Sequence, residues 1–162
     1  MELLGVRLEL PANAPVVLLR EQSGDRRVLP IYIDSPEAKA IALALEGRAL
    51  PRPMTHDLLR DVVVTLGATV VAVTVTELRD GTFYAEIELR AGDRTHVISS
   101  RPSDAIALAV RVEAPMFASA EVLDDAATIP EVIEEEETEE GADEIIDEFR
   151  DFIDQVNPED FG

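Results

Sequence analysis

The chain has 162 residues, 46% of them hydrophobic, which suits one domain of ordinary size plus an appendage. It contains no cysteine, which excludes disulfides, thiolate metal sites and a cysteine nucleophile. Its net charge of −20 lies mostly at one end: residues 1–118 hold 13 basic and 16 acidic residues (a balance of −3), and residues 119–162 hold one and 18 (a balance of −17). The total charge disfavours a nucleic-acid partner, but the charge of the body does not.

The N-terminal segment and the apolar runs indicate the compartment. Charged residues interrupt the first apolar run, and no basic segment precedes it, so the pattern is not that of a signal peptide. No apolar run is long enough to cross a bilayer. We therefore expect a cytoplasmic protein without a membrane partner.

The first 47 residues predict three strands and a helix. The strands cover residues 1–10, 16–21 and 27–33, separated by turn residues. Ser35 is the predicted N-cap of the helix, Pro36 takes its first position, and Gly47 ends it.

Residues 68–113 repeat the same order of elements. Strands are predicted at 69–78, 83–90 and 95–99, with an Asp80-Gly81 hairpin turn between the first two, and a helix then runs to residue 112. Short stretches also match in letters: Gly24-Asp25-Arg26 with Gly92-Asp93-Arg94, and residues 40–44 with 105–109. We interpret this as an internal duplication of a strand–strand–strand–helix unit, which predicts an α+β fold with an antiparallel sheet packed against helices.

A further helix is predicted at residues 55–66, between the two units. Thr55 is its expected N-cap, and Leu58, Val62 and Leu66 belong to an apolar stripe at helical spacing. This helix joins the repeats and belongs to neither.

The tail divides into two segments after a domain that ends near residue 129. Residues 130–142 form an acidic linker that we expect to be disordered. Residues 143–162 carry an amphipathic helix, because apolar residues recur at helical spacing between 145 and 156. We expect this helix to dock on its own body, on another subunit or on a protein partner.

Two segments could carry chemistry, and each has a structural alternative. His56 and Asp57 open the linker helix, where an anion is favoured, but they can equally serve as a capping sequence. Arg101, Ser103 and Asp104 open the last helix of the body, and Ser103 or Asp104 can serve as its N-cap. A cation is unfavourable there unless it meets a phosphate, a carboxylate ligand or an internal Asp or Glu, so both interpretations stand.

Other residues add less. His96 lies inside a predicted strand, where a structural role is the expectation. Carboxylates such as Glu37, Asp57 and Asp104 are hard oxygen ligands that suit Mg²⁺ or Mn²⁺, although sixteen acidic residues in the body produce such sets by chance. No motif for an organic cofactor is present, since the sequence has no glycine-rich phosphate loop.

Together these segments resemble the bifunctional nuclease family, in order and over residues 1–129. The matching stretches are Leu29-Pro30-Ile31-Tyr32-Ile33, Glu37-Ala38, Ala40-Ile41-Ala42-Leu43, Arg52-Pro53-Met54-Thr55-His56-Asp57-Leu58, Asp80-Gly81-Thr82-Phe83-Tyr84-Ala85, Arg101-Pro102-Ser103-Asp104-Ala105-Ile106-Ala107-Leu108 and Ala114-Pro115-Met116-Phe117. The resemblance implies an α+β domain and hydrolysis of RNA and DNA phosphodiester bonds. One departure is Asp34, which stands where the resemblance implies Gly and adds a negative charge that weakens phosphate binding.

Two hypotheses follow. In the first, the protein is a metal-dependent nuclease that uses Mg²⁺ or Mn²⁺. The residues assigned to this site are His56 (general base or metal ligand), Asp57, Asp104 and Glu37 (metal ligands), and Arg52, Arg101 and Ser103 (phosphate binding). This site requires His56 and Asp104 to lie within roughly 12 Å of each other.

In the second hypothesis the protein is a binding or regulatory module without catalysis. The motif residues are then caps and internal salt bridges, and the acidic tail mediates protein interaction or autoinhibition. Under either hypothesis we expect a homodimer, because a single sheet layer leaves faces and edges to cover.

Overall fold

Each half of the body folds as three antiparallel strands followed by a helix. The structure is a computed structural model that describes residues 1–48 and 50–130. The helices and strands are β1 (Glu2–Glu9), β2 (Ala14–Arg20), β3 (Val28–Tyr32), α1 (Ser35–Leu45), α2 (Thr55–Thr65), β4 (Ala68–Arg79), β5 (Thr82–Ala91), β6 (Arg94–Ser100), α3 (Pro102–Val112), β7 (Met116–Ala118) and α4 (Ala120–Ala126). These elements belong to the compact unit Met1–Pro130. The acidic linker beyond residue 130 and the amphipathic helix expected in the tail lie outside the described residues.

The strands form two sheets, which corrects the expectation of one antiparallel sheet. The first sheet has the order β1-β2-β3 and the second β6-β5-β4-β7. The α+β class is confirmed. The added strand β7 pairs with β4 in parallel, with Val73 opposite Met116. This direction follows from topology: β6 and β4 are both antiparallel to β5, and the crossover through α3 returns the chain in the direction of β6.

The hairpin between β4 and β5 has the predicted two-residue turn. Asp80 and Gly81 both have positive φ, at 51° and 75°. This conformation matches the right-handed twist of the flanking strands, and Asp-Gly is among the residue pairs that adopt it most readily. The sequence signal at this turn is therefore confirmed.

The two halves share one core. Leu19 of the first sheet and Val75 of the second belong to the same buried cluster as Ile41 of α1 and Ile106 of α3. Helices α1 and α3, the equivalent helices of the two halves, contact each other. The starts of these two helices are the parts of the fold that carry the polar residues described below.

All three long helices start close to the expected places, but with different N-caps. The N-caps are Asp34 for α1, Met54 for α2 and Arg101 for α3, instead of Ser35, Thr55 and Ser103 or Asp104. For α3 the cause is Pro102, because a residue that precedes proline is driven to the extended conformation that an N-cap needs. For α2 the Asp57 carboxylate accepts the Met54 N–H at 2.9 Å, so a side chain in the first turn does the capping.

Most side chains of the apolar stripe that the sequence predicts for α2 are exposed in the structure. Val63 is buried, whereas Leu58, Val62 and Leu66 are exposed. The helix therefore contacts the body through its buried His56 and Val63. Among the described residues, none of the helices combines the length and the hydropathy that a bilayer crossing requires.

Candidate functional site

Arg101 lies where the starts of the two equivalent helices come together. Its Nε donates to Asp104 Oδ2 at 2.7 Å, within α3, and its Nη2 donates to Glu37 Oε1 at 2.7 Å, across to the first turn of α1. The Asp34 carboxylate lies 3.9 Å from its Nη1. These hydrogen bonds that Arg101 donates, first to Asp104 and then to Glu37, raise the pKa of Arg101 further above its usual value. One cation thus connects the two halves of the duplication.

Arg101 nevertheless remains accessible. Its side chain is 58% exposed, whereas that of Glu37 is 13% exposed. Glu37 Oε2 is buried and has no hydrogen-bond partner within the described part of the chain. The carboxylates of Asp104 and Glu37 therefore bind part of the Arg101 guanidinium, and the rest of the group is exposed to solvent.

The buried ring of His56 forms a hydrogen bond with the Asp104 carboxylate. The His56 side chain is 9% exposed, and its Nε2 lies 3.0 Å from Asp104 Oδ1. Burial by itself would raise the pKa of Asp104, but the hydrogen bonds from Arg101 and His56 outweigh burial and lower it. An ionised carboxylate can only accept, so Nε2 is the ring nitrogen that carries the proton in this contact.

A second, separate network involves Asp57. Its Oδ1 accepts from Arg111 Nε at 2.7 Å, and the other Arg111 nitrogens donate to the carbonyls of Ala107 and Ala40. The Arg111 side chain is 5% exposed. Burial would raise the pKa of Asp57, but the hydrogen bonds from Arg111 and the Met54 N–H prevail and lower it. This buried arginine ties α1, α2 and α3 together.

A pocket of about 340 Å³ opens beside Arg101. The residues that line it come from the end of β3, the β4–β5 hairpin and the start of α3: Ile31, Tyr32, Ile33, Asp34, Gly81, Thr82, Phe83, Arg101, Pro102 and Ser103. Ser103 is 6% exposed, and no hydrogen bond among the described residues uses its hydroxyl. The pocket therefore combines a half-exposed guanidinium, an unpartnered hydroxyl and the N-terminus of an eleven-residue helix. These are features that bind an anion.

The structure brings some of the predicted site residues together and leaves others apart. His56, Asp104, Arg101 and Glu37 form one connected chain of contacts, well within the distance that the nuclease hypothesis requires. Asp57 lines a different pocket, of about 450 Å³, together with Arg111. Arg52 is exposed in the loop before α2 and lines neither pocket. His96 is exposed on β6.

The carboxylates suggested as metal ligands do not fit a shared metal centre. Glu37 and Asp104 both face the Arg101 guanidinium, and Asp57 faces Arg111. Within residues 1–48 and 50–130, no group of three or more metal-ligating side chains is arranged to hold an ion. No chemical step is therefore assigned to a metal here.

Arg111 is the important polar residue that the sequence interpretation missed. It stands in the last turn of α3, directly after the apolar run of residues 105–110, and a cation at such a place is ordinarily explained by the helix dipole. The available sequence signal was its position beside this apolar run, which predicts a helix packed in the interior. A cation on such a helix needs an internal partner, and Asp57 is that partner.

Comparison with known proteins gives the class of this fold and site. The bifunctional nuclease domain matches residues 17–131. An uncharacterized protein of Mycobacterium tuberculosis is 43% identical over 162 residues, covering 99% of this chain and 96% of the relative. Bifunctional nuclease 2 of Arabidopsis thaliana is 31% identical over 112 residues (66% of this chain, 34% of the relative), and bifunctional nuclease 1 of Oryza sativa subsp. japonica is 28% identical over 114 residues (67% and 34%).

The bifunctional nuclease domain match, residues 17–131, covers the segment that holds the Arg101 pocket. The chain belongs to the bifunctional nuclease domain family. The aligned part of this chain spans about a third of the length of the plant relatives.

Proposed function

We propose that this protein is a nuclease that hydrolyses phosphodiester bonds of RNA or DNA at the Arg101 pocket. The observation that carries the proposal is the accessible guanidinium of Arg101, which faces a pocket at the N-terminus of α3 beside the Ser103 hydroxyl. Family membership supports the same reaction class, because the plant relatives carry the name bifunctional nuclease.

In this proposal the scissile phosphate binds against Arg101. Nε and Nη2 of Arg101 already donate to Asp104 and Glu37, so the N–H groups of Nη1 are those that remain for a phosphate oxygen. The charge on the phosphate oxygens grows as water attacks phosphorus, which strengthens this contact in the transition state. The Ser103 hydroxyl and the free N–H groups at the start of α3 add donors on the same side. Arg101 needs no large rearrangement to bind, because Asp104 and Glu37 already hold its other side.

We assign His56 to positioning. Its ring is buried and its Nε2 is already engaged with Asp104, so it does not line the pocket where the phosphate would bind. Its effect on the reaction passes through Asp104, which orients the guanidinium. This role is different from the general base or metal ligand expected from the sequence.

A graded loss of activity tests these assignments. We expect Asp104→Ala to lower phosphodiester hydrolysis on the order of tenfold to a hundredfold, because Arg101 loses its hydrogen bonds to Asp104 and keeps the one to Glu37. We expect His56→Ala to lower it less, because Asp104 keeps its bonds to Arg101. The measurement is cleavage of a labelled oligonucleotide by the purified full chain, with Mg²⁺, with Mn²⁺ and without added metal. If His56→Ala costs as much as Asp104→Ala or more, the positioning role is wrong, and unchanged cleavage in both variants contradicts the site.

Asp34 provides a test in the opposite direction. Its carboxylate lines the pocket and lies 3.9 Å from Arg101, so it repels a bound phosphate and competes for the guanidinium. We expect Asp34→Gly to tighten oligonucleotide binding about fivefold, which corresponds to about 1 kcal/mol for an exposed charge at this distance. Fluorescence anisotropy at two salt concentrations measures the change, which should shrink at high salt. Weaker binding by the variant would contradict an anion site in this pocket.

The alternative is a binding module without catalysis. The observation that favours it is the pairing of Asp57 and Asp104 with arginines, which leaves these motif residues in structural roles. Under this alternative Arg101 still holds a phosphate, but the oligonucleotide remains intact. Binding that depends on Arg101, with no cleavage under any metal condition, would select the binding module over the nuclease.

A further inference from the structure

Strand β6 is an edge strand that is exposed along nearly its whole length. It lies at one end of the order β6-β5-β4-β7. Residues 94–99 are all exposed and Ser100 is half-buried. Two of the exposed side chains are large and apolar, since Val97 is 59% exposed and Ile98 is 47% exposed.

The other sheet edges carry features that block strand addition. Strand β7 has three residues. Strand β1 has an irregularity between Leu3 and Gly5, and β3 contains Pro30 and forms a bridge from Val28 to Thr128. Short length, bulges, proline and covering segments are the usual ways in which proteins protect an edge. Within the part of the chain that the structure describes, strand β6 has none of these: it pairs with β5 without a register shift, contains no proline, and has one charged residue, Arg94, at its end.

We propose that β6 is a dimer interface at which two copies of this chain pair their β6 strands antiparallel, so that two four-stranded sheets become one sheet of eight strands. A second copy fits this edge because the strand is self-complementary. Full overlap of residues 94–100 with the same residues of the other copy requires the two-fold axis to pass at Val97, the middle residue.

This register places no like charges opposite each other. With Val97 opposite itself, Arg94 lies opposite Ser100 of the other copy, and Arg94 is the one Asp, Glu, Lys or Arg residue within the strand. Moving the axis by one residue, to Ile98, leaves Arg94 of each copy without a strand partner. The length of the strand therefore favours the axis at Val97.

The pairing also covers apolar surface. Ile98 lies opposite Ile87, a buried residue, so it belongs to the sheet face that packs on the helices. In the dimer the neighbour of Ile98 across the axis is His96 of the other copy. The face that carries Ala85, Ile87 and Ile98 then continues into the second subunit, and the exposed part of Ile98 is covered.

Because residue 97 meets itself, a charge-pairing experiment tests both the interface and its register. We expect the full chain to sediment at twice its 17.7 kDa mass, and Val97→Asp and Val97→Lys each to sediment as monomers. An equal mixture of the two variants should recover the doubled mass. The control is Val64→Asp, the same change at a valine of α2 that is 62% exposed, which should leave the dimer intact. Circular dichroism checks that each variant is folded.

A cysteine variant gives a second test of the β6 interface, and this variant does not add a charge to the strand. The chain has no cysteine, so Val97→Cys introduces a single thiol. Residues directly opposite in an antiparallel pair have Cα atoms about 4.5–5.5 Å apart, which a disulfide can span. Mild oxidation should convert most of Val97→Cys to a covalent dimer and leave Val64→Cys largely monomeric. A wild-type monomer at all concentrations, a dimer that survives both charged variants, or equal cross-linking of the two cysteine variants would overturn the proposal.

Discussion

Replacing Arg101 with alanine is expected to lower phosphodiester hydrolysis by on the order of a hundredfold or more and to weaken oligonucleotide binding. A donor that faces the developing charge of a transition state contributes about this much to the rate. Among the described residues, Arg101 is the arginine or lysine that pairs with Asp104, Glu37 and Asp34, so its loss leaves these three carboxylates without that cation. Binding by anisotropy and cleavage by gel assay measure the two effects.

Two further variants separate charge from geometry at this position. Arg101→Lys keeps the charge but loses the paired N–H groups, so we expect intermediate activity. Arg90→Ala removes an exposed arginine of β5 that does not line the pocket, and it should change neither binding nor cleavage by more than about twofold. If Arg90→Ala and Arg101→Ala have equal effects, binding depends on total charge and the pocket is not the site.

Replacing Arg111 with methionine is expected to lower the free energy of unfolding by about 3 kcal/mol, or the midpoint of thermal unfolding by about 10 °C. Methionine retains the length of the side chain but leaves the Asp57 carboxylate and the carbonyls of Ala107 and Ala40 without their donor. The matched control is Arg79→Met, which breaks an exposed pair with Glu77 and a contact with the Tyr84 ring, and should cost about 1 kcal/mol, clearly less than Arg111→Met. Denaturant unfolding of the full chain measures both.

The pH dependence of the Arg111 variant checks the cause of this loss. In the native protein the pKa of Asp57 is lowered, so its contribution to stability is present above the unfolded pKa of about 4 and disappears as the pH falls through the folded value. Without Arg111 the ionised Asp57, whose side chain is 24% exposed, is a partly buried charge without its cation, and protonation removes that charge. The stability difference between the two proteins should therefore shrink below about pH 4. A difference that is constant with pH would attribute the loss to packing.

The sequence predicted the order of elements because that order depends on local signals. Asp80-Gly81 allows few conformations other than a tight turn, and the helix starts are marked by proline and acidic residues. The parallel addition of β7 and the division into two sheets depend on contacts between distant parts of the chain. A three-residue strand such as Met116–Ala118 has no local pattern that distinguishes it from a loop.

The candidate site was predictable to a similar extent. The motif residues His56 and Asp104 were expected to converge, and they lie 3.0 Å apart. Their roles were less predictable, because a role depends on burial: His56 was expected to be accessible at a helix start, yet the packing of α2 on α3 buries it. The same packing lets Arg111 donate a hydrogen bond to Asp57, which lies 54 residues away in the sequence.

The two N-cap residues Asp34 and Arg101 occupy equivalent places in the two halves, carry opposite charges and lie 3.9 Å apart. A symmetric pair of identical units could not form this contact, since each half would place the same charge there and the two would repel. The contact therefore depends on a difference between the two halves. The start of α3 supplies the cation and one of its anions, Asp104, and the start of α1 supplies the other two.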